Sequence, residues 1–185
     1  HVVSESGQPG YAASVWSGDC AADGSITLSL GDVKSCTITN NDIAANLTIT
    51  KVVVNDNGGS AVVSDFALNV DNGTTNVTSG VQNSFNAGAH VVSESGQPGY
   101  AASSWGGDCA ADGSITLALG GVKSCTITNN DIAPKLTVTK IVVNDNGGTA
   151  VVADFALNVD NSTTNVTSGV QNSFNAGAHV VSESG

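Results

Sequence analysis

The heptapeptide HVVSESG stands at His1, His90 and His179, a constant spacing of 89 residues, and this period constrains the fold more than any other feature of the chain. Residues 1–96 laid over residues 90–185 differ at eleven positions, among them Ile49/Val138, Val52/Ile141, Ser60/Thr149 and Ser64/Ala153. A unit of that length lies within the usual range of a self-folding domain and is far longer than a solenoid repeat, so each copy is expected to build its own core. The repeat predicts the back half of one unit over 1–43, a complete unit over 44–132 and the front half of a third over 133–185. The same word at both ends, with no initiator Met and no membrane-spanning apolar run, predicts a segment that starts and stops inside a longer array.

Short strand patterns alternate with turn signals along the unit: LTITKVVV (47–54), NDNGG, AVVSDFALNV (61–70), TTNVT, VQNSF, AHVVSES (89–95), SITLAL (114–119) and VKSCTIT (122–128). No helical period appears, and strands at this spacing predict an all-β chain of tandem antiparallel β-sandwich domains. Side chains alternate faces along a strand, so strand phase is informative. Leu47, Ile49, Lys51 and Val53 share one face, and Leu136, Val138, Lys140 and Val142 repeat the pattern. Cys125 and Ile127 share a face with Asn129, as Cys36 and Ile38 do with Asn40, and Val92 shares one with His90 and Glu94. An amine, a carboxyl and a carboxamide are therefore aimed at the core. Cores admit such groups when they are paired or functional.

The four cysteines follow the repeat. Cys20 and Cys36, and Cys109 and Cys125, each stand sixteen apart around an Asp-Gly turn, which predicts one disulfide per unit and an oxidising compartment. Zinc is the competing reading, but two Cys without a companion His or CxxC pair make a poor site. Asn46, Asn72, Asn76, Asn161 and Asn165 each open an N-x-Ser/Thr glycosylation pattern, a weak signal in so Asn- and Thr-rich a chain. Sixteen acids against five Lys, with no Arg, give a net charge of −11. Such a chain lacks the basic stripe that nucleic acid requires, and anionic membranes are disfavoured for the same reason.

The runs LTVTKIVVNDNG and DFALNV, followed by HVVSESGQPGY and a terminal CTITNND, resemble the collagen-adhesin B-type domain of the SpaA family. The resemblance covers the full unit and both half units. It implies a prealbumin-like (transthyretin-like) sandwich, of broadly immunoglobulin-like type, in which a lysine of the first strand and an asparagine of the last form a spontaneous isopeptide bond. Carried onto this sequence, Lys51 is the nucleophile, Asn129 the electrophile and Glu94 the proton shuttle, with ammonia as the leaving group. Burial favours the neutral forms of amines and carboxyls, which suits those roles. The half units hold Glu5 with Asn40, and Lys140 with Glu183; their missing partners are expected from further sequence or from a neighbouring chain. Strand phase favours Asn129 over the adjacent Asn130. His90 departs from the family, where an aromatic is common, and so does the disulfide. The plainer reading has Lys51 snorkelling to solvent, Glu94 as its ordinary surface partner and Asn129 capping a turn.

The remaining motifs point to ordinary structure. NDNGG with nearby Asp65 offers oxygens that calcium favours, yet the fixed EF-hand spacing is absent and the run is turn chemistry. No metal and no cofactor are expected. Trp16 and Trp105 are read as packing residues. No Ser/His/Asp order or phosphate-cradling loop is present, so no enzyme is expected beyond the autocatalytic cross-link. The expectation is an extracellular structural repeat of a filament, pilus-like fibre or stalk, whose partners are neighbouring copies of itself. The alternative is a cell-surface adhesin repeat that binds a host protein or polysaccharide; a transthyretin-like carrier has no support beyond the fold.

Overall fold

Alternation and β-branching build the ten-residue strand Ala45–Val54. Thr, Ile and Val favour extended backbone, and Ala45, Leu47, Ile49 and Lys51 are buried while Asn46, Thr48 and Thr50 are half-buried and Val52 is exposed. The computed structural model describes residues 1–72, 75–160 and 164–184. The chain divides into two compact units, one made of His1–Val52, Phe66–Ser95 and Ser103–Thr128, the other of Val53–Asp65, Gly96–Ala102 and Asn129–Gly185.

In the first unit two sheets face a common core. One runs Val122–Asp131, Ala45–Val54, Gln82–Phe85; the other runs Ser114–Leu117, Gly88–Glu94, Leu68–Val70, Thr75–Val77. Leu47, Ile49, Cys125 and Ile127 from one meet Leu68, Val70, Val92, Ile115 and Leu117 from the other in a single buried cluster, against which Trp105 packs. This is an antiparallel β-sandwich. Its closeness shows at Gly113, whose φ of 86° suits glycine and where a Cβ would lie 2.3 Å from Val92 O and 3.1 Å from the Trp105 ring. The disulfide Cys109–Cys125 joins the core, and Cys20–Cys36 is its repeat-equivalent. Around the second bridge, Ser17–Gly18 pairs with Cys36–Thr37 and Tyr11–Ala13 with Asn40–Asp42.

In the second unit, Ala156–Val159 pairs antiparallel with both Thr164–Val166 and Val181–Ser184, while Lys135–Thr137 pairs with Gln171–Ser173. Leu157, Val159 and Val166 form its small core, with Leu136, Val138 and Phe174 packed on it. Tyr100–Ala102 pairs here with the end of the strand Val122–Asp131, Tyr100 opposite Asp131 and Ala102 opposite Asn129.

One strand expectation fails in its first half. Residues 61–70 are not a continuous strand: Val63–Asp65 forms a 3-10 turn, and only Leu68–Val70 is extended. The Asp65 carboxylate accepts a hydrogen bond from Val62 N at 2.8 Å, a local bond that competes with strand pairing. The equivalent Val152–Asp154 does the same, with Asp154 accepting from Val151 N at 2.8 Å.

Candidate functional site

Lys51 points into the sandwich because it occupies the core phase of Ala45–Val54. Its side chain is 0% exposed, and Nζ lies 2.5 Å from Glu94 Oε2; the Glu94 side chain is itself 7% exposed. Nζ also sits 4.3 Å from the centroid of the Phe66 ring. The Lys51 backbone N–H donates to Ser79 Oγ at 2.8 Å, which fixes the strand where the side chain departs. Glu94 closes the strand Gly88–Glu94 opposite Leu68. Snorkelling, the plainer reading, does not describe a lysine with no exposed side chain.

Asn129 lies in Val122–Asp131 with 1% exposure, between half-buried Thr128 and exposed Asn130. Among the described residues, the buried side-chain polar atoms left without a hydrogen-bond partner are Glu94 Oε1 and Asn129 Oδ1. Both act as acceptors when the carboxyl is ionised. An unsatisfied buried polar atom costs about 1–3 kcal/mol, so each of these two atoms is an exception that calls for a reason.

The first and third copies of the repeat carry parts of this chemistry. Lys140 Nζ lies 2.7 Å from Glu183 Oε2 and 4.2 Å from the Phe155 ring centroid, and the Lys140 N–H donates to Ser168 Oγ at 2.9 Å. Asn40 Nδ2 donates to Glu5 Oε2 at 3.0 Å. Glutamate at one repeat position thus meets lysine in two copies and asparagine in the third.

The His90 ring bonds to other groups than the glutamate. Its Nδ1 pairs with Asp71 Oδ2 at 2.8 Å and its Nε2 with Asn86 O at 2.9 Å, while Asp71 Oδ1 accepts from Val91 N at 3.1 Å. His179 forms the same clasp with Asp160 and Asn175 O. Burial pulls the His90 pKa down, but the bonds to Asp71 and Asn86 outweigh it and raise the value above 6.5. The His90 hydrogen bond in turn holds Asp71 below its ordinary 3.8. His1 donates through its main-chain nitrogen to Ile26 O at 2.9 Å.

The NDNGG turn has a role that sequence reasoning missed. It presents N–H groups to a carboxylate: Asp131 accepts from the backbone N–H of Asp56, Asn57 and Gly59 and from Asn57 Nδ2. Burial raises the Asp131 pKa, but these bonds, led by the Gly59 N–H, outweigh it and lower the value below 3.8. The signal was available, since the phase that turns Cys125, Ile127 and Asn129 inward reaches Asp131 two residues on.

Of the glycosylation candidates, Asn72, Asn76 and Asn165 are exposed, while Asn46 is half-buried and accepts from Ser84 Oγ at 3.0 Å. Asn161 lies outside the described residues. No group of three or more metal-ligating side chains occurs among the described residues, and no helix there is long and apolar enough to cross a membrane. The disulfides fit an oxidising environment.

Residues 42–127 and 131–185 match the family model SpaA_2, Prealbumin-like fold domain. No curated protein and no solved structure shows significant similarity to the chain.

Proposed function

The chain belongs to the SpaA-type family of prealbumin-like fold domains, and from that premise we propose that it is a structural repeat of an extracellular filament, pilus-like fibre or stalk, locked by Lys–Asn isopeptide bonds as well as disulfides. One observation carries the reading: the buried Lys51–Glu94 contact at 2.5 Å, accompanied by the partnerless buried atoms Glu94 Oε1 and Asn129 Oδ1. The strands that bear Lys51 and Asn129 are neighbours in the sheet order.

The chemistry balances without a cofactor. Passing the lysine proton to Glu94 leaves a lone pair on Nζ and a carboxylic acid whose O–H is the donor that an amide oxygen such as Asn129 Oδ1 lacks. Nζ attacks the Asn129 side-chain carbonyl carbon, the new C–N bond forms, and the carbonyl develops negative charge that the acid stabilises. Glu94 then delivers its proton to the departing amide nitrogen and takes one from the attacking nitrogen, so that it ends the step protonated. The old C–N bond breaks, ammonia leaves, and an amide joins the two strands. The Phe66 ring beside Nζ helps exclude water from the reacting amine.

Each complete unit is then closed by two covalent ties, the isopeptide and the disulfide. Successive units joined by the short linkers NNDIAAN and NNDIAPK form a chain suited to bearing load. The acidic surface, with sugar at Asn72, Asn76 or Asn165, opposes lateral clumping. The module acts as structure, with neighbouring copies as its partners. Electron microscopy of the native material tests this: long beaded fibres are expected, and isolated globular particles would contradict it.

A further inference from the structure

Asp131 is a buried carboxylate, 6% exposed, whose hydrogen bonds all described above go to the turn that follows the Lys51 strand. Its Oδ1 accepts from Asp56 N at 3.1 Å, Asn57 N at 3.1 Å and Asn57 Nδ2 at 3.2 Å; its Oδ2 accepts from Asn57 N at 2.9 Å and Gly59 N at 2.6 Å. Its carbonyl oxygen accepts from Asn57 Nδ2 at 3.1 Å. Opposite it in register, Tyr100 donates its hydroxyl to Asn55 Oδ1 at 2.5 Å and accepts from Ala61 N at 2.9 Å. The turn is seated so closely that a Cβ at Gly59 would lie 2.3 Å from the Tyr100 hydroxyl and 2.8 Å from Asp131.

The repeat supplies an internal comparison. In the equivalent turn, 144–150, the side-chain bonds stay internal, from Asn144 Nδ2 to Ala150 O and from Asn146 Nδ2 to Asp145 Oδ1.

We propose that Asp131 is the positioning residue of the cross-link: by gripping turn 55–61 it fixes the register of the strands that carry Lys51 and Asn129, and so presents Asn129 rather than Asn130 to the amine. The role rests on the isopeptide reading above. Asn129, two residues before Asp131, is buried and Asn130 is exposed, and a slip of one residue would exchange their faces. Amide formation between held groups depends steeply on placement, with a misplacement of about 1 Å costing about 10²-fold.

The test follows newly synthesised full-length chain, quenched in denaturant at intervals, by intact mass for ammonia loss and by fragmentation for the linked residue. Asp131→Ala is expected to slow linkage by about 10²-fold and to admit Asn130 as a second linkage site. Asp131→Asn, which keeps one acceptor oxygen and guards against a misfolded Ala variant, is expected to restore part of the rate. Leu117→Ala, a core change outside the site, is expected to leave rate and linkage site close to wild type. Wild-type speed and linkage in Asp131→Ala would overturn the proposal, as would an equal slowing in Leu117→Ala. A wild-type chain that never loses ammonia sinks the isopeptide reading, and the positioning role with it. Amide exchange at Asp56, Asn57 and Gly59 in Lys51→Ala, with and without Asp131→Ala, then reports whether the grip on the turn exists apart from any cross-link.

Discussion

Lys51 and Glu94 form a pair that a core tolerates only as a pair. Desolvating either group alone is costly, so removing one partner leaves the other uncompensated. Lys51→Ala is expected to destabilise the complete unit by about 3–5 kcal/mol in denaturant melts, quite apart from abolishing the bond. Glu94→Gln preserves size but removes the group that carries the proton, so it is expected to leave a folded chain that retains its ammonia. A Glu94→Gln chain that still cross-links would show that the carboxyl is no shuttle. At the same scale, the His90–Asp71 clasp predicts a pH window. With the histidine value raised, its contribution is full below 6.5 and is lost as pH rises through the folded value; with the aspartate value lowered, its contribution is present above 3.8 and lost as pH falls. The clasp is strongest between those limits. NMR titration of His90 should give a midpoint above 6.5, and His90→Gln should flatten the neutral-pH slope of stability.

Elements show which features sequence could and could not reveal. The inward face of Ala45–Val54 was legible because alternation and burial share one period, and the same phase marked Lys51 and Asn129 as core-facing. The 3-10 turn at Val63–Asp65 was hidden because its residues are β-formers, and the Asp65 bond that bends them competes only locally. The grip of Asp131 on Asn57 joins groups 74 residues apart, and no local pattern encodes that distance. Leu117 in Ser114–Leu117 is 2% exposed, whereas Val122, at the start of Val122–Asp131, is 67% exposed. Propensity proposes a strand, and packing decides whether it forms. Leu117→Ala is accordingly expected to cost about 2–5 kcal/mol, while Val122→Ala should cost far less. Equal losses in thermal or denaturant melts would contradict this.

At the scale of the molecule, covalent ties are expected to dominate stability. Each disulfide closes a short loop, Cys20 to Cys36 and Cys109 to Cys125, worth about 3 kcal/mol through the unfolded chain. Reduction should therefore lower the melting temperature, yet a unit carrying the isopeptide should keep its first and last strands joined in reducing denaturant. The Lys51–Asn129 bond is open to intact-mass spectrometry of the non-glycosylated, disulfide-oxidised 185-residue chain. The expected mass is lower than that of the oxidised sequence by at least one ammonia, with a branched peptide linking Lys51 to Asn129 after digestion. A folded chain at the full mass, with both residues recovered in separate unmodified peptides, would contradict it.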